Sequence, residues 1–218
     1  MGIKKGMAPF LEGGIYGITA EEYSLGRSNT YVVARMIESG IRIVQYREKE
    51  KSMGEKYREC LKIREMTAKA GVTFIVNDHA DLALLVGADG VHIGQDDLPP
   101  ERVRELVGDG MIMGLSTHSP AQAEAAVLSG ADYIGVGPIF PTRTKKDVCD
   151  PVGLEYLEYA VKNIKIPLVA IGGIKGHNIG QVVSRGARCI ALVTEIVGAE
   201  DIAAKVRELK EALSRKEV

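Results

Sequence analysis

Short apolar runs rich in β-branched residues recur along this chain, and each one ends in a small cluster of polar or glycine residues. Residues 41–44 lead into Gln45-Tyr46-Arg47, and residues 74–76 lead into Asn77-Asp78. Longer stretches with the spacing of amphipathic helices separate these runs. Because parallel strands in α/β proteins carry their functional groups at their carboxyl ends, the pattern predicts many strands that feed one composite site.

The alternation predicts eight strand-then-helix units. Strands are expected at residues 15–19, 41–46, 73–77, 90–93, 111–115, 133–137, 168–171 and 189–193, and helices at 30–39, 54–70, 80–86, 101–107, 120–129, 154–163, 176–185 and 202–213. A helix end, Gly-Ala, a polar residue and a strand recur at 86–91, 129–134 and 185–190. The prediction is an α/β fold with a single (β/α)8 TIM barrel at 15–218, preceded by an N-terminal extension at 1–14. The alternative is an open doubly wound sheet of about six strands.

Composition limits the functions that such a chain can have. The formal net charge is -1, which disfavours nucleic-acid and membrane-surface binding but allows a local basic pocket. Trp is absent and aromatic residues make up 5%, so base-stacking platforms are not expected. The three cysteines fit neither a disulfide framework nor a zinc motif. Without a recognisable export signal or a run of transmembrane length, we expect a cytoplasmic protein.

Two acids follow neighbouring predicted strands. Asp78 comes after the third strand and Asp97 after the fourth. Two carboxylates held close together repel each other unless a cation or a proton intervenes. Hard oxygen ligands without Cys or His suit Mg²⁺, which also takes substrate phosphates as ligands. The alternative is a helix N-cap for Asp78 and a solvated loop acid for Asp97.

Cations are expected at the same face of the barrel. Arg47, Lys49 and Lys145 follow other strands, and cations opposite a metal-binding acid pair suggest a diphosphate between them. The alternative is a solvated charge run, which the alternating acids and lysines at 48–51 also resemble.

Glycines and small residues follow the last two strands. Gly172-Gly173 ends the seventh strand, and Val193-Thr194 ends the eighth. Loops after strands seven and eight commonly bind phosphate in barrels, because bare backbone N–H groups reach the anion there. The alternative is a tight turn. A diphosphate site opposite a monophosphate site implies two phosphorylated substrates.

No nucleophile motif is present. The four histidines form no metal-ligand spacing, and His92, inside a strand, is expected to be a hydrogen-bonded barrel residue. His118 follows Ser116-Thr117 on the catalytic face, where proton transfer is a minor alternative.

An ordered set of motifs resembles the thiamine-phosphate synthase family over nearly the whole chain, from about residue 15 to 196. Each motif alone is moderately specific, but the ordered set is highly specific, and the stretch from Pro138 to Lys145 is the strongest member. The motifs are Gln45-Tyr46-Arg47-Glu48-Lys49, Asn77-Asp78, Gly94-Gln95-Asp96-Asp97, Ser116-Thr117-His118, Gly135 to Lys145, and Ile171-Gly172-Gly173-Ile174.

The resemblance implies a transferase of thiamine biosynthesis. The enzyme would join 4-amino-2-methyl-5-(diphosphooxymethyl)pyrimidine to 4-methyl-5-(2-phosphooxyethyl)thiazole. Diphosphate leaves first by cleavage of the C–O bond, and the thiazole nitrogen then attacks the pyrimidine methylene carbon. Mg²⁺ and cationic residues would stabilise the departing diphosphate.

The resemblance also implies roles for individual residues. The expected Mg²⁺ ligands are Asp78 and Asp97, and the expected catalytic residues are Arg47, Ser116 and Lys145. The pyrimidine diphosphate would contact Gln45, Tyr46, Arg47, Glu48, Lys49, Asn77, Ser116 and Lys145, and the thiazole phosphate would contact Thr142, Arg143, Thr144, Gly173, Val193 and Thr194.

Two rival functions share the fold. A related thiazole tautomerase would not need the acids and the diphosphate cations together, and a non-catalytic phosphate-binding barrel would need still fewer charges.

Residues 1–14 and the Lys175-Gly176-His177 turn depart from the family pattern. Residues 143–150 are a candidate lid. A homo-oligomer is one possibility, and the sequence does not give the oligomeric state.

Overall fold

Eight parallel strands close into one barrel. The structure, a computed structural model, describes residues 3–144 and 149–214. Each strand pairs with the next, and the eighth returns to the first, which confirms the predicted (β/α)8 barrel and excludes the open sheet. The strands are β1 Gly14–Ile18, β2 Ile43–Tyr46, β3 Thr73–Asn77, β4 Gly90–Ile93, β5 Ile112–Thr117, β6 Tyr133–Val136, β7 Leu168–Ala170 and β8 Cys189–Leu192.

Helices follow the strands around the outside of the barrel, except the first helix, which precedes β1. They are α1 Ala8–Glu12, α2 Asn29–Glu38, α3 Met53–Ala70, α4 Ala80–Val86, α5 Pro100–Val107, α6 Pro120–Leu128, α7 Gly153–Asn163, α8 Ile179–Ser184, α9 Thr194–Val197 and α10 Ile202–Ser214, with a 3-10 turn at Glu21–Tyr23. None of the helices in the described residues is long and apolar enough to cross a membrane.

Local sequence signals explain where many helices begin and end. Ser52 and Glu55 form a reciprocal capping box at the start of α3, and Gly71 ends that helix with a left-handed φ of 66°. One prediction was too long: helix 176–185 is reduced to α8. Asn178 accepts a hydrogen bond from the Lys175 N–H through its side chain, which holds residues 175–178 in a turn ahead of α8.

The barrel has two separate apolar cores. The larger core lies between the strands and the surrounding helices, and it includes Val44, Phe74 and Leu157. The smaller core fills the inside of the barrel, where inward residues such as Ile43, Ile75 and Ile112 are all at most 2% exposed. The division follows from the strand period of two, which sends alternate side chains to opposite faces.

The segment before β1 closes the amino end of the barrel. Met7 and Phe10 belong to the inner core, and the ring of Phe10 lies 4.3 Å from the Tyr133 ring centroid and 5.8 Å from that of Tyr16. The expected extension therefore packs as a plug under the barrel. Its apolar contacts cover the inner core at this end of the barrel.

Candidate active site

A cavity of about 1120 Å³ opens at the carboxyl end of the barrel. Residues from all eight strands line it, together with the loops that follow them. The predicted site residues that line this cavity are Gln45, Arg47, Lys49, Asn77, Asp78, Asp97, Ser116, Thr142, Arg143, Thr144, Gly173, Val193 and Thr194. Lys145 lies outside the described residues, as does part of the candidate lid at 143–150.

Two other predicted contacts, Tyr46 and Glu48, have side chains that do not line the cavity. Gln45 points into the barrel, and the strand period of two turns the neighbouring Tyr46 outward. The Tyr46 hydroxyl donates to Glu59 on α3 at 2.7 Å. Glu48 accepts from the Asn29 side chain at 3.1 Å. Both side chains thus anchor the loop after β2 on the side that faces α2 and α3, away from the cavity.

A charged network supports that same loop. Lys51 forms ion pairs with Glu21 at 2.5 Å and with Glu59 at 2.6 Å. Burial works against ionisation of Glu59, but hydrogen bonds from Lys51, Tyr46 and Asn29 outweigh it, and the pKa of Glu59 is lowered. The network fixes the backbone of the loop that carries Arg47 and Lys49, which leaves their side chains for the cavity.

The two predicted metal ligands lie on one side of the cavity. Asp78 pairs with Lys49 at 2.5 Å, and its carboxylate is 17% exposed. Its φ is 63°, a left-handed conformation that Asp and Asn tolerate better than other non-glycine residues. Asp97 accepts from the Gly94 N–H at 2.7 Å, which orients its carboxylate. These contacts orient both carboxylates at the edge of the cavity, that of Asp78 beside Lys49.

On the opposite side of the cavity, which we call the backbone-built end, the loops after β6 and β7 meet backbone to backbone. Gly173 has a φ of 65°, and a Cβ there would lie 2.6 Å from the carbonyl oxygens of Phe140 and Pro141. The loop after β7 therefore packs directly on the loop after β6. Asn178 donates to the Gly173 carbonyl at 3.0 Å. The Thr142 and Thr144 hydroxyls are 3.2 Å apart.

A lysine that the sequence interpretation treated only as a departure also lines this side. Lys175 forms an ion pair with Glu195 at 3.1 Å and approaches the Thr194 hydroxyl at 3.5 Å. Its side chain is 41% exposed. The cavity thus has a cation at each end among the described residues.

Polar side chains form the floor of the cavity. His92 bonds to Ser116 through Nε2 and to Tyr133 through Nδ1, both at 2.9 Å. Burial lowers the pKa of His92 to about 4, and the charge of Asp97 opposes that shift only in part. The ring is therefore neutral at pH 7, even though some of its surface faces the cavity. His118 also lines the cavity, where its Nδ1 donates to the Gly137 carbonyl.

The family model described as thiamine monophosphate synthase matches residues 15–196 of the chain. The chain belongs to this family. Membership of the thiamine monophosphate synthase family confirms the enzyme class expected from the sequence, a transferase of thiamine biosynthesis.

Individual relatives agree with the family assignment. The chain is 75% identical over 214 residues to the thiamine-phosphate synthase of Pelotomaculum thermopropionicum, with 98% of each chain covered. It is 54% identical to that of Lawsonia intracellularis, with 93% of this chain and 94% of the relative covered. A solved thiamine phosphate pyrophosphorylase from Pyrococcus furiosus has a TM-score of 0.85 at 34% identity, with 94% of this chain and 96% of that one covered.

Sequence reasoning missed several residues that line the cavity in this member of the thiamine monophosphate synthase family. Tyr16 and Tyr133 lie deep in the barrel and still reach the cavity floor. Strand alternation could have placed them inward, but their hydroxyl contacts depend on pairing between distant strands. Lys175 and Glu195 could not be predicted as a pair, because they meet only through the contact between the segments that follow β7 and β8.

Proposed function

We propose that this protein joins the pyrimidine diphosphate to the thiazole phosphate and releases thiamine phosphate and diphosphate. One observation carries the proposal. A single cavity brings Asp78, Asp97, Arg47 and Lys49 to one end and the glycine and threonine loops to the other. That arrangement fits two phosphorylated small molecules whose reacting atoms meet in the middle.

The pyrimidine diphosphate would occupy the charged end. Gln45 and Asn77 provide amides on the barrel wall for the pyrimidine, and Arg47 and Lys49 provide cations for the diphosphate. Tyr46 and Glu48 would act from behind through their contacts with Glu59 and Asn29. The backbone of Arg47 is itself held, since its N–H donates to the Thr19 hydroxyl at 2.8 Å.

Asp78 and Asp97 fit a Mg²⁺ ion. Both present hard carboxylate oxygens to the cavity, and within residues 3–144 and 149–214 no group of three or more His, Cys, Asp or Glu offers a competing cage. A site with only two carboxylates suits an ion that keeps waters and takes substrate phosphate oxygens. When bound there, Mg²⁺ would neutralise charge on the diphosphate as it leaves.

The thiazole phosphate would occupy the backbone-built end. Gly173, Val193 and Thr194 line the cavity at this end, together with Thr142, Arg143 and Thr144 from the loop after β6. Lys175 adds a cation that Glu195 holds nearby. We propose that this lysine turns from Glu195 to the phosphate when the substrate binds.

Catalysis would need charge stabilisation and positioning rather than a protein nucleophile. Cleavage of the C–O bond places negative charge on the diphosphate and positive charge on the pyrimidine methylene group. Arg47, Ser116 and Lys145 would stabilise the leaving diphosphate, and the bound thiazole nitrogen would attack from a fixed position. Such preorganised groups act without reorganising during the reaction.

The thiazole tautomerase alternative is less well supported. An isomerisation of one phosphorylated substrate would use the backbone-built end but leave Asp78, Asp97 and Lys49 without a role.

For the location of the protein in the cell, we propose the cytoplasm. Cys60 and Cys189 are unpaired and buried, and Cys149 is unpaired and exposed, as suits a reducing compartment.

The test is a two-substrate assay with purified protein and Mg²⁺. We expect equal amounts of diphosphate and thiamine phosphate, measured separately, and no diphosphate release from the pyrimidine substrate when Mg²⁺ is removed by a chelator. Absence of product with both substrates would overturn the proposal. Isomerisation of a thiazole substrate without diphosphate release would support the tautomerase instead.

A further inference from the structure

We propose that Tyr16 and Tyr133 are positioning residues that set the tautomer of His92 and so aim the hydroxyl hydrogen of Ser116 at the substrate. The catalytic consequence rests on the proposed function. The tautomer itself does not, and it can be measured without any substrate.

Five polar side chains form one continuous chain across the barrel floor. The Gln45 amide nitrogen lies 2.8 Å from the Tyr16 hydroxyl, which lies 3.0 Å from the Tyr133 hydroxyl. Tyr133 then contacts His92 Nδ1 at 2.9 Å, and His92 Nε2 contacts Ser116 Oγ at 2.9 Å. The two tyrosines are at most 1% exposed, so solvent has little access to them.

The first donor fixes the direction of the chain. An amide nitrogen only donates, so Gln45 gives its hydrogen to the Tyr16 oxygen. Tyr16 has one hydroxyl hydrogen, and a buried hydroxyl rarely leaves its hydrogen unpaired, so that hydrogen goes to Tyr133. Tyr133 in turn donates to Nδ1 of His92. A neutral imidazole with Nδ1 as acceptor carries its proton on Nε2.

The last step determines what Ser116 can do. His92 donates its Nε2 hydrogen to Ser116 Oγ, which accepts and so keeps its own hydrogen for another partner. Ser116 lines the cavity, so that hydrogen is available to a substrate oxygen. With the opposite tautomer, Nε2 would accept from Ser116 and draw the hydroxyl hydrogen away from the cavity.

The backbone around Tyr133 is shaped to allow this contact. Tyr133 pairs with Gly114 of the neighbouring strand, and a Cβ on that glycine would lie 2.2 Å from the Tyr133 ring and 2.5 Å from its hydroxyl. Gly114 thus clears the space in which the Tyr133 ring reaches His92.

The direct test is nitrogen-15 NMR of the histidine rings in the ligand-free full-length protein, with His92 assigned from a His92→Gln variant. We expect a neutral ring with its proton on Nε2 in the wild type, and a loss of that preference in Tyr133→Phe. Tyr156→Phe is the matched control, because it removes a buried hydroxyl that donates to Thr117 at 2.6 Å outside this chain.

The proton on Nδ1 in the wild type would overturn the proposal, and so would an unchanged tautomer in a folded Tyr133→Phe. The wild-type spectrum decides the direction even if a variant fails to fold. Tyr16→Phe provides a second variant, in which the preference for Nε2 should weaken but persist, since Tyr133 keeps its hydroxyl. A preference that survives intact in Tyr16→Phe would remove Tyr16 from the proposal.

Kinetics test the consequence for Ser116. Tyr133→Phe should lower kcat about 10-fold while each KM changes less than about 3-fold. Ser116→Ala should give a similar loss, and the double variant should lose little more, because both changes remove the same hydrogen bond. Fully additive losses would overturn the link to Ser116. A wild-type protein that makes no thiamine phosphate would refute the proposed function but leave the tautomer result standing.

Discussion

The two ends of the cavity, which we propose bind phosphate groups, differ in how they are built. The end near Asp78 relies on charged side chains, and the contacts that hold them come from α2, α3 and the loop after β2. The end near Gly173 relies on main chain of the loop after β7 that packs closely on the loop after β6, because Gly173 carries no side chain. Loss of charge should therefore damage the first end, and a change of shape should damage the second.

The difference follows from what each proposed substrate must do. A leaving diphosphate gains charge during the reaction, so its site benefits from cations and a metal ion that respond to that charge. The thiazole phosphate keeps its charge throughout. For that group uniform binding is sufficient, and fixed backbone donors provide it without ordering long side chains.

The largest expected effect comes from removing one charge near Asp78, at the end of the cavity that relies on charged side chains (the side-chain end). Asp78→Asn should lower kcat/KM for the pyrimidine diphosphate on the order of 100-fold, because a metal ligand is lost while the KM for the thiazole phosphate stays near its wild-type value. Asparagine is the informative replacement, since it also tolerates the φ of 63° at this position. Steady-state kinetics with each substrate varied in turn measure the effect.

Asp81→Asn is the control, because Asp81 lies on α4 close by in sequence and its carboxylate accepts only from the Leu82 N–H among the contacts described. It should leave both KM values unchanged. Equal damage to both substrates in Asp78→Asn would show that the two ends are not separable.

Most of the fold could be predicted because the hydrophobic periodicity and the glycines at helix ends indicate the same elements along the chain. All eight predicted strands are present, and glycines such as Gly71 and Gly87 end helices with a left-handed φ. The short α1 and α9 were missed. Helices of five and four residues show too little periodicity to detect, and α1 is held in part by the contact of Phe10 with Tyr133, which is remote in sequence.

The site was predictable to the extent that strand ends meet on one face. That rule alone brings Asp78, Asp97 and Gly173 to one cavity. It does not decide which side chains between Gln45 and Lys49 face the cavity: Gln45 lines it, whereas the Tyr46 and Glu48 side chains contact Glu59 and Asn29. It also treated His92 as an ordinary barrel residue, because the Tyr133 contact depends on how β4 and β6 lie across β5.

A smaller effect is expected from a change of shape at the backbone-built end. Gly173→Ala should raise the KM for the thiazole phosphate about 10-fold, because the new Cβ would push against the carbonyl oxygens of Phe140 and Pro141 and displace the threonine loop. The KM for the pyrimidine diphosphate should change much less. Steady-state kinetics report both values.

Gly87→Ala is the matched control for backbone strain. Its φ of 63° is close to that of Gly173, but a Cβ there meets nothing within 4 Å. It should lower stability by about 1 kcal/mol and leave both KM values unchanged.

Lys175→Met removes charge from the end of the cavity near Gly173 without altering its backbone. A larger KM increase in Lys175→Met than in Gly173→Ala would mean that charge, not shape, dominates this end as well.

The smallest effect concerns the network behind the side-chain end. Glu59→Gln should weaken the hold of Lys51, Tyr46 and Asn29 on the loop after β2, and we expect the KM for the pyrimidine diphosphate to rise only about 2- to 3-fold. The KM for the thiazole phosphate should not change. The same variant should be less stable than the wild type to urea at neutral pH.

The pH dependence of that stability loss identifies its origin. The pKa of Glu59 is lowered in the folded protein, so its contribution is present above the usual carboxyl pKa and is lost as pH falls through the lowered folded value. The difference in urea midpoint between wild type and Glu59→Gln should therefore shrink as pH falls below about 4.5. Glu65→Gln, an exposed change on the same helix, should show no such difference. A difference in urea midpoint that stays constant with pH would assign the role of Glu59 to packing. The side-chain end of the cavity would then depend less on charge than we expect.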